Sequence, residues 1–457
     1  MRNRTRLALA LILLMAEIAV VDCSDYTKIV PAGEILAKIE KGEPVEYDHV
    51  IIKGDLDLSQ LNLPNGYINR SLYDTTILGL TKNAKIVTSQ IKIINATIEG
   101  TVNFGETVFY SSIDFSGSNF TRFAAFHGAQ FSAYTNVFSD AAVFSGDANF
   151  NNARFYNGVD FEGASGPIYF MDAEFDKSAQ FWGAKLYNTW FSRAKFNSPY
   201  IDFRKAQFIG QASFSEAQFD ANDGPLFEEA QFNGDAYFRG TKFNGTSVFF
   251  GSQLSGNVDF TYAEFSGNAL FDGAKFSGYI VGWKNLDNVF KCDDEVTYLS
   301  LIQDLKDHGQ FTDVDSCYYD YMNWRRDRNS GFSMVLDWLF CAFCGYGVKP
   351  LRPIIFGGIM IIFFGIIYYL GNRHHLFVSS SIRQKMMESI FFSAVALLSL
   401  PKELYPYSPA AYDHLLKQNF LDIRILKFRF LVSIERLLGW GLLILFINTL
   451  SRVMIRY

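Results

Sequence analysis

From Phe104 to Phe276 a large apolar side chain, nearly always Phe, returns every five or six positions, and two positions before most of these stands Ala or Val. Phe104, Phe120, Phe131, Phe150, Phe161, Phe181, Phe214, Phe238, Phe249, Phe260 and Phe271 sample the series, which explains why Phe (46) outnumbers Gly (35) in 457 residues. A period of five matches neither a helix face at 3.6 nor a strand alternating at 2, so neither element can run on unbroken. The chain must turn about every five residues. A coil does this if each straight side points one large and one small residue inward, and such coils stack through backbone hydrogen bonds about 4.8 Å apart. Alternation of five- and six-residue steps, as in Phe227, Phe232, Phe238, Phe243 and Phe249, places an extra residue at alternate corners, where Gly and Asn are at ease. Ser165-Gly166-Pro167 interrupts the series.

The recurring A-x-F-x-x unit, as in Ala179 to Phe181, Ala217 to Phe219 and Ala236 to Phe238, resembles the pentapeptide-repeat family over roughly residues 50 to 280. The resemblance implies a mainly β fold, a right-handed quadrilateral β-helix. Upstream, Ile51, Leu56, Leu61, Ile93 and Ile98 keep the spacing with aliphatic centres, so the solenoid is expected to begin near residue 50. Within residues 24–49, Ile35, Leu36 and Ile39 share one helical face, which predicts a short amphipathic helix capping the first coil. Solenoid ends need such a cover, because an open coil offers unpaired backbone groups to other strands.

The first 23 residues carry Arg2, Arg4 and Arg6, an apolar run from Leu7 to Met15 and polar Asp22-Cys23-Ser24, the order of a secretory signal or signal anchor. After Gly278 helical spacing takes over. In the connector, residues 281–352, Tyr298, Leu301, Ile302 and Leu305 form one face and Val314, Cys317, Tyr318, Tyr321 and Trp324 another, predicting a helical hairpin over the far end of the solenoid. Residues 353–457 form the expected membrane domain, with spans at about 354–370 and 437–453, so the lipid bilayer is the expected partner. Arg373, Arg383, Lys385, Lys402, Lys417, Arg424, Lys427, Arg429 and Arg436 crowd the segment between the spans. The positive-inside rule then puts that segment in the cytoplasm and the solenoid outside, at the cell membrane.

Between the spans, Ser389 to Pro401 (SIFFSAVALLSLP) resembles the short pore segment of two-helix potassium-channel-like modules, with Ser389, Ser393, Ser399 and Pro401 as its marker positions within 389–402. Such modules need a T-x-G-Y-G stretch whose carbonyls replace the ion's water. Here Leu398-Ser399-Leu400-Pro401-Lys402 stands in its place.

Enzyme chemistry finds no foothold. The six histidines are scattered, Cys341-x-x-Cys344 abuts apolar residues, and no cofactor or metal motif emerges. A net charge of -6 without a basic stripe argues against a nucleic-acid partner. Asn69, Asn95, Asn119 and Asn244 match the N-glycosylation acceptor pattern, and Cys292 and Cys317 are candidates for a disulfide in an oxidising compartment. The reading is a non-enzymatic, membrane-anchored cell-surface scaffold. Its expected partner is an extracellular or envelope protein or a surface ligand, and its membrane helices are candidate contacts for a homo-oligomer. The alternatives are an ion-channel-like protein and, more remotely, an acidic DNA-mimic inhibitor.

Overall fold

The computed structural model describes residues 28–133, 141–198, 200–220, 224–371, 381–400 and 423–454. It divides into two compact units, one ending at His308 and one starting at Gly309. The signal segment lies outside the described residues.

The first unit is a β-solenoid of about 12 turns. Most strands are two residues long, because each side of a coil holds one inward large residue and then turns. Apart from Asn65–Tyr67, the strands pair in parallel from one coil to the next, so that Phe109, Phe131, Phe155, Phe175, Phe196, Phe219, Phe243 and Phe265 make one continuous column. At the corners a Phe carbonyl accepts from the amide of the Ala three residues on, as from Ala129 to Phe126 and Ala153 to Phe150, both 3.1 Å. The residue before that Ala is left-handed. Along one corner Asn152, Asp172, Arg193 and Glu216 hold φ between 57° and 61°, so residues with a Cβ bear a conformation that favours glycine.

The rings obey two rules. Between coils they stack, as Phe126 on Phe150 (4.6 Å, 1°) and Phe175 on Phe196 (4.7 Å, 3°). Across the core they meet edge to face, as Phe150 with Phe161 (5.4 Å, 87°), and on consecutive sides they are tilted or edge to face, as Phe150 with Phe155 (38°) and Phe155 with Phe161 (85°). Both arrangements suit the ring quadrupole. All eleven Phe residues of the sampled series are buried.

The solenoid is longer than the five-residue period suggests. Its first strand, Lys28–Pro31, already pairs with Val50–Lys53, and its last, Phe290–Lys291, pairs with Ala269–Leu270, so the 50–280 boundaries fall short at both ends. The terminal strands escape the pattern because they alternate as ordinary strands or carry no Ala-x-Phe. Helix α1, Ala32–Glu40, buries Ala32, Ile35 and Ile39 and follows directly on that first strand. Ser165-Gly166-Pro167 is no interruption in space. Ser165–Gly166 pairs with the coils on both sides and Gly166 takes a Phe position, where any Cβ would run into Phe144. The irregular stretch lies earlier: Ile52 pairs with Ile98, 46 residues on, whereas Ile98 pairs with Phe120 after only 22. Leu61 belongs to this insertion rather than to a coil face.

Helix α2, Glu295–Asp307, covers the far end of the solenoid. Asp294 caps it by accepting from the Val296 and Thr297 amides, Thr297 Oγ1 accepts from the Gly273 amide at 2.9 Å, and Tyr298 packs edge to face on Phe290. The second helix of the expected hairpin, α3 (Phe311–Arg328), belongs to the second unit. That unit continues with α4 (Phe332–Cys344), α5 (Leu351–Gly371), α6 (Ile382–Leu397) and α7 (Ile423–Met454). Within α5 and α7, residues 351–370 and 430–452 are long and apolar enough to cross a membrane.

Candidate functional site

Because the inward residues of the solenoid are all committed to its core, any chemistry it offers lies on its outward positions. One face carries a cross-coil ion ladder. Arg154 reaches Glu174 (3.1 Å) and Asp176 (3.0 Å), and Glu174 also takes Lys195 (2.8 Å). Nearby corners pair Arg193 with Asp172 and Arg204 with Asp202, both at 2.7 Å. Arg154, Lys195, Arg193 and Arg204 thus balance Glu174, Asp176, Asp172 and Asp202 one for one.

The same face ends, toward the N-terminus, in a cleft of about 230 Å³ lined by Tyr67, Tyr110, Tyr156, Gln130 and Ser132 over Ile86 and Val108. The insertion builds one wall of it. Strand Asn65–Tyr67 runs antiparallel to Asn83–Val87, and a Cβ on Gly66 would come within 2.7 Å of Ile86 Cδ1, so that side chain would have to move. Arg70 pins the insertion down. It is 8 % exposed and donates to the Gly128 carbonyl at 2.8 Å, and burial pulls its guanidinium below the ordinary arginine range. Elsewhere Tyr169 stacks on Trp190 at 5.1 Å, one coil apart, on the outer surface.

Of the four acceptor-pattern asparagines, Asn69, Asn95 and Asn244 are exposed and Asn119 is half-buried. Asn95 Nδ2 donates to Asp48 at 3.0 Å and Asn244 Nδ2 to Asp220, so those two amides already have partners.

Cys292 and Cys317 are not joined: among the described residues every cysteine is a thiol. Cys292 Sγ exchanges contacts with the Asp294 backbone (3.3 and 3.4 Å), and burial pushes its thiol up to about 11. A thiol so far above neutral pH supplies little thiolate for oxidation.

In the second unit α6 runs back between the two long helices, antiparallel to α5. Ile390 lies against Gly365, where a Cβ would stand 2.9 Å from its Cα, and Leu397 reaches Gly357. At its C-terminal end the Leu397 carbonyl sits on Gly439 of α7, too close for any side chain there. Ser389 is buried and donates to the Met386 carbonyl (2.8 Å), while Ser399 turns the chain with φ 50°. Pro401 lies outside the described residues. Ser393 donates to Glu435 of α7, and so does Tyr368 of α5, at 2.5 Å. Sequence reading passed over Glu435. The available signal was its place as the sole carboxylate in the apolar stretch from Phe430 to Arg452.

Helix α4 was also hidden inside the connector. Phe332, Trp338 and Phe340 are 76, 62 and 50 % exposed, and Arg325, Arg326 and Arg328 precede it. Arg328 covers Trp324 at 4.0 Å, Lys349 covers Tyr319 at 4.0 Å, and Arg452 at the end of the second long stretch covers Tyr318 at 4.3 Å. Cation–π contacts of this kind place charge beside amphipathic rings.

No group of three or more His, Cys, Asp or Glu among the described residues could hold a metal ion. The profile of pentapeptide repeats matches residues 181–223 and 227–275, with 9 copies. No curated protein matches the chain. Among solved structures, it is similar to the 2.0 Å crystal structure of HetL, a pentapeptide repeat protein involved in heterocyst differentiation regulation from the cyanobacterium Nostoc sp. strain PCC 7120. The identity is 15 %, the match covers 42 % of this chain and 83 % of that one, and the TM-score is 0.20.

Proposed function

We propose, from the premise that this chain is a pentapeptide-repeat protein, that it is a non-enzymatic binding scaffold held on a membrane by its second unit, with the solenoid on the extracytoplasmic side. The observation that carries this reading is the succession of a fully committed core and apolar helices whose large side chains face outward, on α4, α5 and α7 alike. Trp338 and Phe340 suit the headgroup boundary, with Arg325, Arg326 and Arg328 beside them as headgroup contacts. The binding surface is the outer face around Tyr67, Tyr110 and Tyr156, with an envelope protein or surface ligand as partner. Self-association through α5 and α7 belongs to the same reading.

Protease protection of intact cells carrying tags in the insertion and between the two spans tests it. The expected outcome is cleavage of the first tag and protection of the second, with the chain in the carbonate-resistant membrane fraction. The reverse pattern overturns the extracytoplasmic assignment, and a carbonate-soluble chain overturns the anchor.

A second reading, an ion-channel-like module, is favoured by the seating of α6 between two long apolar helices. Against it stands the stretch after Ser399, which supplies no Gly and so none of the backbone freedom that closely spaced carbonyl ligands require. The purified chain in planar bilayers is expected to pass no K⁺-selective current. A reproducible conductance abolished by changes between Ser389 and Lys402 would promote this reading over the scaffold.

A further inference from the structure

Glu435 is fully buried, five residues inside the stretch Phe430 to Arg452, at about 7 to 8 Å along the helix from its start. Tyr368 lies two residues before the other end of its own stretch, Leu351 to Leu370, and α6 brings Ser393 to the same level. The three side chains therefore come from three helices and meet near one end of the apolar layer. Each carboxylate oxygen accepts from one hydroxyl: Oε2 from Tyr368 at 2.5 Å and Oε1 from Ser393. Around them pack Phe364, Ala396 and Val432.

Two forces oppose each other at this point. Burial in an apolar layer favours the neutral acid, whereas two converging O–H donors favour the carboxylate. The other charges nearby are few. Arg436 follows Glu435 in α7, and on α6 the charged residues Arg383, Lys385 and Glu388 all precede Ser389. We propose that Glu435, Tyr368 and Ser393 form a proton-binding site inside the second unit, and that loading it loosens the seat of α6 between α5 and α7.

The proton comes from water at the near end of the layer and adds to one carboxylate oxygen, with no other bond made or broken. Before loading, both oxygens accept, and the two charge-assisted hydrogen bonds tie α5, α6 and α7 together. After loading, one oxygen carries its own O–H. The hydroxyl facing it must then rotate to accept or leave, and the tie loses its charge assistance. The seat of α6 then rests on apolar packing, Phe392 against Tyr368, and on the close approaches at Gly365 and Gly439.

The test uses the full chain in lipid bilayers, followed by infrared difference spectroscopy and by hydrogen exchange of the α6 amides as pH falls. The expected result is a protonated-carboxyl band that grows on acidification and is missing from Glu435→Gln, together with faster exchange in α6 over the same pH range. Glu435→Gln keeps the shape of the side chain and, with one acceptor and one donor group, imitates the protonated acid, so it should fold, and its α6 exchange should ignore pH. Ser393→Ala removes one donor that favours the carboxylate, and should move the midpoint toward alkaline pH by roughly one unit. A band that persists in Glu435→Gln, a carboxyl that never titrates, or a titration with unchanged α6 exchange would each overturn the proposal.

Discussion

The solenoid and the second unit hold themselves together in opposite ways. In the solenoid the same small set of contacts recurs: a Phe stacked on the Phe one coil below, an edge-to-face neighbour across the core, and a strand pair of two residues. Each contact is modest, and there are many of them. In the second unit the helices meet at a few particular places, Ile390 on Gly365, Leu397 on Gly439, and the two hydroxyls on Glu435 beside the cluster of Phe364, Ala396 and Val432. A repeat distributes stability along its axis. A helix cluster concentrates it where backbones approach or a buried polar group must be satisfied.

That contrast can be broken first in the solenoid. Phe238→Asp puts a carboxylate between Phe214 and Phe260, which stack on Phe238 from either side, with no partner for its charge. It is expected to cost at least about 4 kcal/mol, by loss of ring burial plus desolvation, and to lower the thermal midpoint sharply. Tyr237→Asn, one position out of phase on the outer surface, should change it by less than about 1 kcal/mol. Equal effects would sink the assigned register.

The second unit should fail locally. Gly439→Val drives a side chain into the Leu397 carbonyl, so α6 must shift, at an expected cost of about 1 to 3 kcal/mol. Limited proteolysis in detergent should show faster cleavage beside α6 and an unchanged solenoid. Loss of solenoid protection in this variant would overturn the expectation of a local failure.

A smaller effect is expected at the lid. The Thr297 hydroxyl and the Val296 and Thr297 amides hold the Asp294 carboxyl below the usual carboxylate range. A group whose folded value is depressed contributes stability above its unfolded value and loses it as pH falls through the folded one. Acidification below the ordinary Asp range should therefore loosen α2, and Asp294→Ala should do so at neutral pH by about 1 kcal/mol. Hydrogen exchange of the α2 amides measures both.

The smallest effect is on the ladder. Arg154 is partly exposed, so Arg154→Ala is expected to cost no more than about 1 kcal/mol, and less at high salt. A salt-independent loss, seen by denaturant titration, would show that its packing over Tyr156 matters more than its charge.

By itself the sequence determined that this chain coils and which residues line the coil. Inward or outward placement is a local property that repeats every few residues, so Phe150, Phe181 and Phe238 could be assigned without knowing their neighbours. The apolar stretches were legible for the same reason, since length and absence of charge are summed along the chain. Only the tertiary structure decided that Gly166 continues a Phe column, that residues between Leu56 and Asn83 fold back as a wall beside Tyr110 and Tyr156, and that Arg193 and Glu216 bear left-handed corners. It alone decided that Cys292 spends its sulfur on Asp294, and that Glu435 meets Tyr368 and Ser393, respectively 67 and 42 residues away along the chain. Each of these depends on a partner distant in sequence, and a period read along one chain carries no information about which distant residue will stand opposite.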